Sequence, residues 1–208
     1  MRVIGTVGLP GSGKGEAAAV AREEGVPVVV MGDVIREACR ERGLDPADHH
    51  GEVARALREE EGPDAIAARA LPRVEAALDE GEAVLIDGLR APVEVERFRA
   101  AFGDAFVVVS VEAPFETRLE RLADRGRDAS DADREALRAR EERELGFGMG
   151  EVMDDADVRV ENAGSLPAFR ERVRRLLREG PDALAGGRAG SAEGPMCTDP
   201  ADDAGDGA

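Results

Sequence analysis

The chain has 208 residues, 42% of them hydrophobic, with six Phe and neither Trp nor Tyr. That length suits one domain with a substantial, largely aliphatic core, and no apolar run is long enough to span a bilayer. A net charge of −17 argues against a nucleic-acid partner, because phosphate repels so acidic a surface.

The first residues, MRVIGTVGLPGSGKG, run straight into a strand at 2–8 and a glycine loop, without the regions of a signal peptide, so a cytoplasmic protein is expected. An alanine-rich helix follows to about Glu24, ended by Gly25 and Pro27. Residues 27–31 read as a second strand, and Asp33 to about Arg42 as a helix closed by Gly43. Cys39 falls there as a small apolar residue; with only Cys197 to accompany it, no disulfide framework is expected. The stretch 50–79 reads as two helices broken at Gly62 and Pro63. His49 and His50 are read as loop residues and not as a zinc site, since no other ligand type stands near them.

Residues 83–87 are a strand, and Pro92 opens a helix with Val95, Phe98 and Phe102 on one face. The clearest strand is 105–111, followed from Pro114 by a helix bearing Phe115, Leu119 and Leu122. Residues 124–150 are highly charged, poor core material, and end in GFGMG. A last strand at 157–161 and a helix capped by Ser165 complete the pattern. From Gly180 the chain is rich in Gly, Ala, Asp and Pro and is expected to be a disordered tail after a domain spanning 1–179. Strands alternating with helices imply an α/β fold: a parallel five-stranded sheet with helices on both faces.

The strongest chemical signal is Gly8, Leu9, Pro10, Gly11, Ser12, Gly13, Lys14 and Gly15. The pattern G-x-x-x-x-G-K between a strand and a helix is a phosphate cradle. Successive backbone N–H groups wrap the anion, the helix dipole faces it, and Lys14 reaches the β and γ phosphates. Of the 28 basic residues, Lys14 alone is lysine. The rest being arginine, beside so much Asp and Glu, suggests adaptation to a cytosol at molar salt, where the Debye length is roughly 3 Å, surface repulsion is largely screened and the acidity says little about partners. Gly15 replaces the Ser or Thr that usually binds magnesium, so Asp87, at a strand end, is the candidate to hold Mg2+ through water. Glu16 is either a nucleotide contact or a first-turn acid complementing the helix dipole.

The loop, with glycine after the lysine, resembles that of adenylate kinases, although Glu16 departs from their threonine. Met31-Gly32-Asp33-Val34-Ile35-Arg36 resembles their acceptor-binding stretch, and Ile86-Asp87-Gly88-Leu89-Arg90 their Asp-Gly-Phe-Pro-Arg segment with one residue missing. A closer resemblance, from about Arg2 to Arg178, is to an archaeal family of P-loop kinases, uncharacterised protein family 0200, described as related to dephospho-coenzyme A kinase. It runs through MGDVIREA, LREEEGPDAIAAR, LIDGLRAPVEVERFR and REERELGFGMG. It implies a three-layer P-loop nucleotide-kinase-like fold with a helical lid, and binding of ATP and Mg2+.

Arg36 and Arg90 then stand where such kinases grip an acceptor phosphate, a role suited to the bidentate guanidinium, although Arg36 also reads as a partner of Glu37 or another nearby carboxylate on a solvated helix. Asp33 is either a base for an acceptor hydroxyl or the cap of the helix beginning at Val34. In the charged segment, Arg121, Arg125, Arg127 and Arg140 are the candidates to close over the triphosphate. Arg134, Arg138 and Arg143 also stand in this segment, and several of its seven arginines read as partners of the nearby Glu141, Glu142 and Glu144. The function expected is transfer of the γ-phosphoryl group of Mg-ATP to a nucleotide-like acceptor, a nucleoside monophosphate or dephospho-coenzyme A. The alternative is an ATP-binding or ATP-hydrolysing regulatory factor with no small-molecule acceptor.

Overall fold

The computed structural model describes residues 1–125 and 133–185. The first apolar run forms β1 (Arg2–Val7), buried along its length after Arg2. Gly5 lies mid-strand because a Cβ there would press on the Phe106 ring at 2.9 Å. The glycine loop leads into α1 (Lys14–Glu23). Next come β2 (Val28–Val30) and α2 (Met31–Glu41). This helix starts two residues before the expected Asp33, with Val30 at its N-cap position. The apolar Met31 belongs to the helix and packs in the core, so strand 2 is shorter than the apolar run suggested.

A second correction concerns the histidines. Asp45 caps α3 (Pro46–Glu61), its carboxylate accepting from Ala47 N at 2.9 Å, with Pro46 in the first turn. His49 and His50 therefore lie on a helix and not in a loop. The break at Gly62 and Pro63 separates α3 from α4 (Ala65–Glu80). Then follow β3 (Ala83–Asp87), α5 (Pro92–Phe102), a short 3-10 turn, β4 (Phe106–Glu112) and α6 (Phe115–Arg125). The charged segment continues as α7 (Arg134–Gly146) and α8 (Met149–Asp154). It is better core material than expected: Leu137 is buried, and Met149 and Val152 join the core. The last elements are β5 (Val158–Glu161), α9 (Leu166–Glu179) and α10 (Asp182–Ala185). Order thus extends past Gly180, since the four-residue α10 packs on α9. The tail from 186 lies outside the described residues.

All strands are parallel, in the order β2-β3-β1-β4-β5. One face carries a core built from Val3, Val7, Ile86 and Phe98 with residues of α2 to α5 and α8. The other buries Ile4, Leu85 and Val109 under α1 and α9. With β3 and β4 on opposite sides of β1, the chain reverses direction across the sheet beside the central strand. The crevice at the carboxyl ends there is where open α/β sheets bind ligands.

Candidate active site

The turn after β1 places Pro10, Gly11, Ser12, Gly13 and Lys14 along one wall of a cavity of about 380 Å³. Two glycines are required here by geometry. Gly13 has φ 115° and its missing Cβ would collide with the Asn162 amide; Gly11 has φ 79° and faces the Arg118 carbonyl, which a Cβ would meet at 2.7 Å. The Asn162 amide instead donates to Ser12 O at 2.8 Å, so the residue after β5 pins the loop. Gly8 and Leu9 contribute their carbonyls, both accepting from the Lys14 amine, the second at 3.3 Å. Burial lowers the Lys14 amine to a pKa of about 8, against the opposing pull of Asp87 and Glu144.

Asp87, at the end of β3, lines the same cavity, and its Oδ1 accepts from Thr6 Oγ1 at 3.3 Å. The residues fit a magnesium-bound polyphosphate. The Lys14 amine and the glycine loop share the cavity with the Asp87 carboxylate, and the Ser12 hydroxyl is buried without a hydrogen-bond partner. Gly15 also lines the cavity, and a Cβ there would meet nothing within 4 Å. Packing therefore does not exclude a serine or threonine at that position, and Asp87 is one of three carboxylates, with Glu94 and Glu144, that line the cavity.

Arg90 and Arg36 face the cavity from beyond the loop, and Arg140 from α7. The structure thus brings Lys14, Asp87, Arg36, Arg90 and Arg140 to one space. Other expected residues lie elsewhere. Asp33 is exposed and does not line the cavity; its Oδ1 is 2.6 Å from Arg36 Nη2. It sits in the first turn of α2, so it is not the helix cap either. Glu16 pairs with Arg170 of α9, away from the cavity, because residue 16 of α1 turns toward that neighbouring helix. Arg121 does not line the cavity; it donates to Asn162 O at 2.9 Å and Oδ1 at 3.2 Å, tying α6 to the end of β5. Arg127 and the side chain of Arg125 lie outside the described residues.

Several lining residues had no sequence signal of their own. Glu144 of α7 is buried, 3.4 Å from Arg140 Nε and 3.9 Å from Arg90 Nη1. Glu94 is 2% exposed; its Oε2 accepts from Arg90 N at 2.8 Å and Ala91 N at 3.3 Å, shaping the turn that aims Arg90. Burial pushes the Glu94 carboxyl up, opposed by those N–H donors and by Arg58. His50 and Arg58 of α3 also line the cavity. The cap signal at Asp45-Pro46 places both on one helix, and a separation of eight residues brings them near one face. Ile35, Ile66, Leu89 and Met149 form the apolar part of the lining.

A family model described as an AAA domain matches residues 4–145. A UPF0200 protein of Halobacterium salinarum is 60% identical over 177 residues, covering 85% of this chain and 93% of that protein. A UPF0200 protein of Methanoculleus marisnigri is 48% identical over 178 residues, covering 85% and 96%. Among solved structures, TT1252 from Thermus thermophilus aligns with a TM-score of 0.59 at 23% identity, covering 86% of this chain and 97% of that one. Shikimate kinase from Bacteroides thetaiotaomicron aligns with a TM-score of 0.55 at 17% identity, covering 84% and 96%. At such identities the structural likeness speaks of the fold alone, which is a kinase-like P-loop fold. Close sequence relatives matched over nearly their whole length decide the rest: the chain belongs to the UPF0200 protein family.

Proposed function

We propose that the protein is a kinase that transfers the γ-phosphoryl group of Mg-ATP to a nucleotide-like acceptor. The observation that carries this reading is the single cavity in which the P-loop and Lys14 face Arg36, Arg90 and Arg140. Phosphoryl transfer asks a protein mainly for positioning and for fixed positive charge around the migrating group. Lys14 and Arg140 supply that charge on the donor side. Arg36 and Arg90 orient the acceptor, and α7 excludes water. Asp87 would hold magnesium through water, and the ion would supply neutralisation of the triphosphate's charge.

The placement of Asp33 favours a nucleoside monophosphate over dephospho-coenzyme A. A ribose hydroxyl needs a base, and Asp33, exposed and paired with Arg36, does not line the cavity. A phosphate oxygen is already ionised and attacks without one.

The test is Mg-ATP turnover in high-potassium buffer against nucleoside monophosphates and dephospho-coenzyme A. One acceptor is expected to be phosphorylated. Arg90→Ala is expected to lower kcat/KM for that acceptor about a hundredfold, with ATP affinity held within about threefold. ATP binding without transfer to any acceptor would replace the kinase reading by that of a nucleotide-gated regulator.

The Lys14 amine gives a pH signature. With its pKa at about 8 in the empty site, it is charged below that pH and neutral above. ATP favours the charged amine, so affinity is expected to be flat from pH 6.5 to 7.5 and to weaken by up to about tenfold per unit above pH 8. Calorimetric titration between pH 7 and 9.5 reads this. Constant affinity across that range would place the amine away from the bound phosphates.

A further inference from the structure

The acceptor end of the cavity holds more positive charge than two arginines account for. Arg36 enters from α2, His50 and Arg58 from α3, and Arg90 from the turn after β3. Each guanidinium has one carboxylate near it, and two of the three contacts are loose. Asp33 holds Arg36 from the exposed side. Glu94 stands 3.7 Å from Arg58, and Glu144 3.9 Å from Arg90, both beyond hydrogen-bond reach. Glu94 is, moreover, a buried carboxyl pushed toward its neutral form. Three guanidiniums and an imidazole thus meet in one space, and of the three only Arg36 is held by a carboxylate within hydrogen-bond reach.

We propose that Arg36, Arg58, Arg90 and His50 form the subsite for the acceptor's phosphate, and that a phosphomonoester dianion enters it together with a proton taken up on the His50 ring. The word acceptor rests on the kinase reading above; the anion subsite rests on the cavity. Arginine forks suit three non-bridging oxygens of a terminal phosphate, and a protonated imidazole adds one more charge-assisted donor.

The empty site keeps His50 neutral. Burial, then the charges of Arg90, Arg36 and Arg58, lower its pKa, while a hydrogen bond to the Gly32 backbone pulls the other way. Glu94 of α5 and Glu144 and Arg140 of α7 line the same cavity. A dianion set among the guanidiniums reverses their effect on the ring. Binding then takes up a proton, so affinity rises as the pH falls between the bound-state and free-state pKa of His50. The gain ends near pH 6, where a phosphomonoester loses its second charge.

With two histidines in the chain, the imidazole signals are readable by NMR on the whole protein at constant molar KCl. His50→Asn assigns the His50 signal. In the free protein His50 is expected to titrate below 6.5. Inorganic phosphate is expected to raise its pKa by about one unit. Lys14→Met, which weakens phosphate held at the glycine loop, is expected to keep this response, and Arg58→Gln to reduce it at least threefold. A His50 that ignores phosphate, or a response lost in Lys14→Met, would overturn the subsite. If His50 responds and no acceptor is phosphorylated, the subsite stands and the kinase reading fails. If transfer occurs while His50 ignores phosphate, the reverse holds.

Discussion

Lys14→Met is expected to lower kcat for phosphoryl transfer at least about a thousandfold while leaving the protein as stable as before, or more so. The first effect follows from the loss of a fixed positive charge aimed at the migrating phosphoryl group. The second follows from the cost of holding that charge in the empty site. The folded-state pKa of about 8 lies below the ordinary 10.5. The charged amine therefore opposes folding at every pH below about 8, and the penalty fades as the pH rises from 8 to 10.5. Replacing it at pH 7 relieves about 1–3 kcal/mol, reduced by the lost hydrogen bonds to Gly8 and Leu9. Methionine keeps the aliphatic stem, so packing is little disturbed. Urea melts at pH 7 and pH 10.5 are expected to differ in the gap between variant and parent, wide at the first and closed at the second. A variant retaining a tenth of the parent kcat would remove Lys14 from the chemistry.

Arg118→Ala is expected to destabilise the protein by about 3–5 kcal/mol and to weaken ATP binding about tenfold. Arg118 is 5% exposed and joins α6 to the glycine loop at Pro10. Its Nε donates to Ala113 O at 2.9 Å, its Nη1 donates to Pro10 O at 3.3 Å and pairs with Glu141, and its guanidinium lies 5.5 Å from the Phe115 ring centre. Removing it leaves the Pro10 carbonyl without this donor and Glu141 as a nearly buried charge with no counterion there. Adding Glu141→Ala is expected to recover part of the loss, because the two residues act as a pair. Urea denaturation of the single and double variants measures the coupling. Additive losses, or a loss under about 1 kcal/mol, would deny Arg118 this role.

The P-loop, the strand alternation and the Asp87 turn were legible because each is written in contiguous residues. A glycine-rich run between an apolar strand and a helix has one phosphate-binding reading, and buried parallel strands appear as short apolar runs. The arginines of the charged segment were harder to sort. Arg140 faces the cavity while Arg121 turns to Asn162, and their spacing carries no sign of that difference. Asp33 illustrates the same limit: its neighbourhood suggests a base or a helix cap, but its place in the first turn of α2 turns it to Arg36 and out of the cavity.

Local sequence alone determined the phosphate loop, its lysine and the α/β class, because backbone dihedrals, helix starts and apolar periodicity depend on neighbours a few residues apart. Tertiary structure alone decided what surrounds the loop. Asn162 reaches Ser12 across 150 positions, Arg118 reaches Pro10 across 108, and His50 and Arg58 meet Arg90 only once α3 has packed on α2 and α4. Such contacts are set by the order in which strands pair and by the helix faces that packing turns inward, and neither is encoded in any short stretch of the chain.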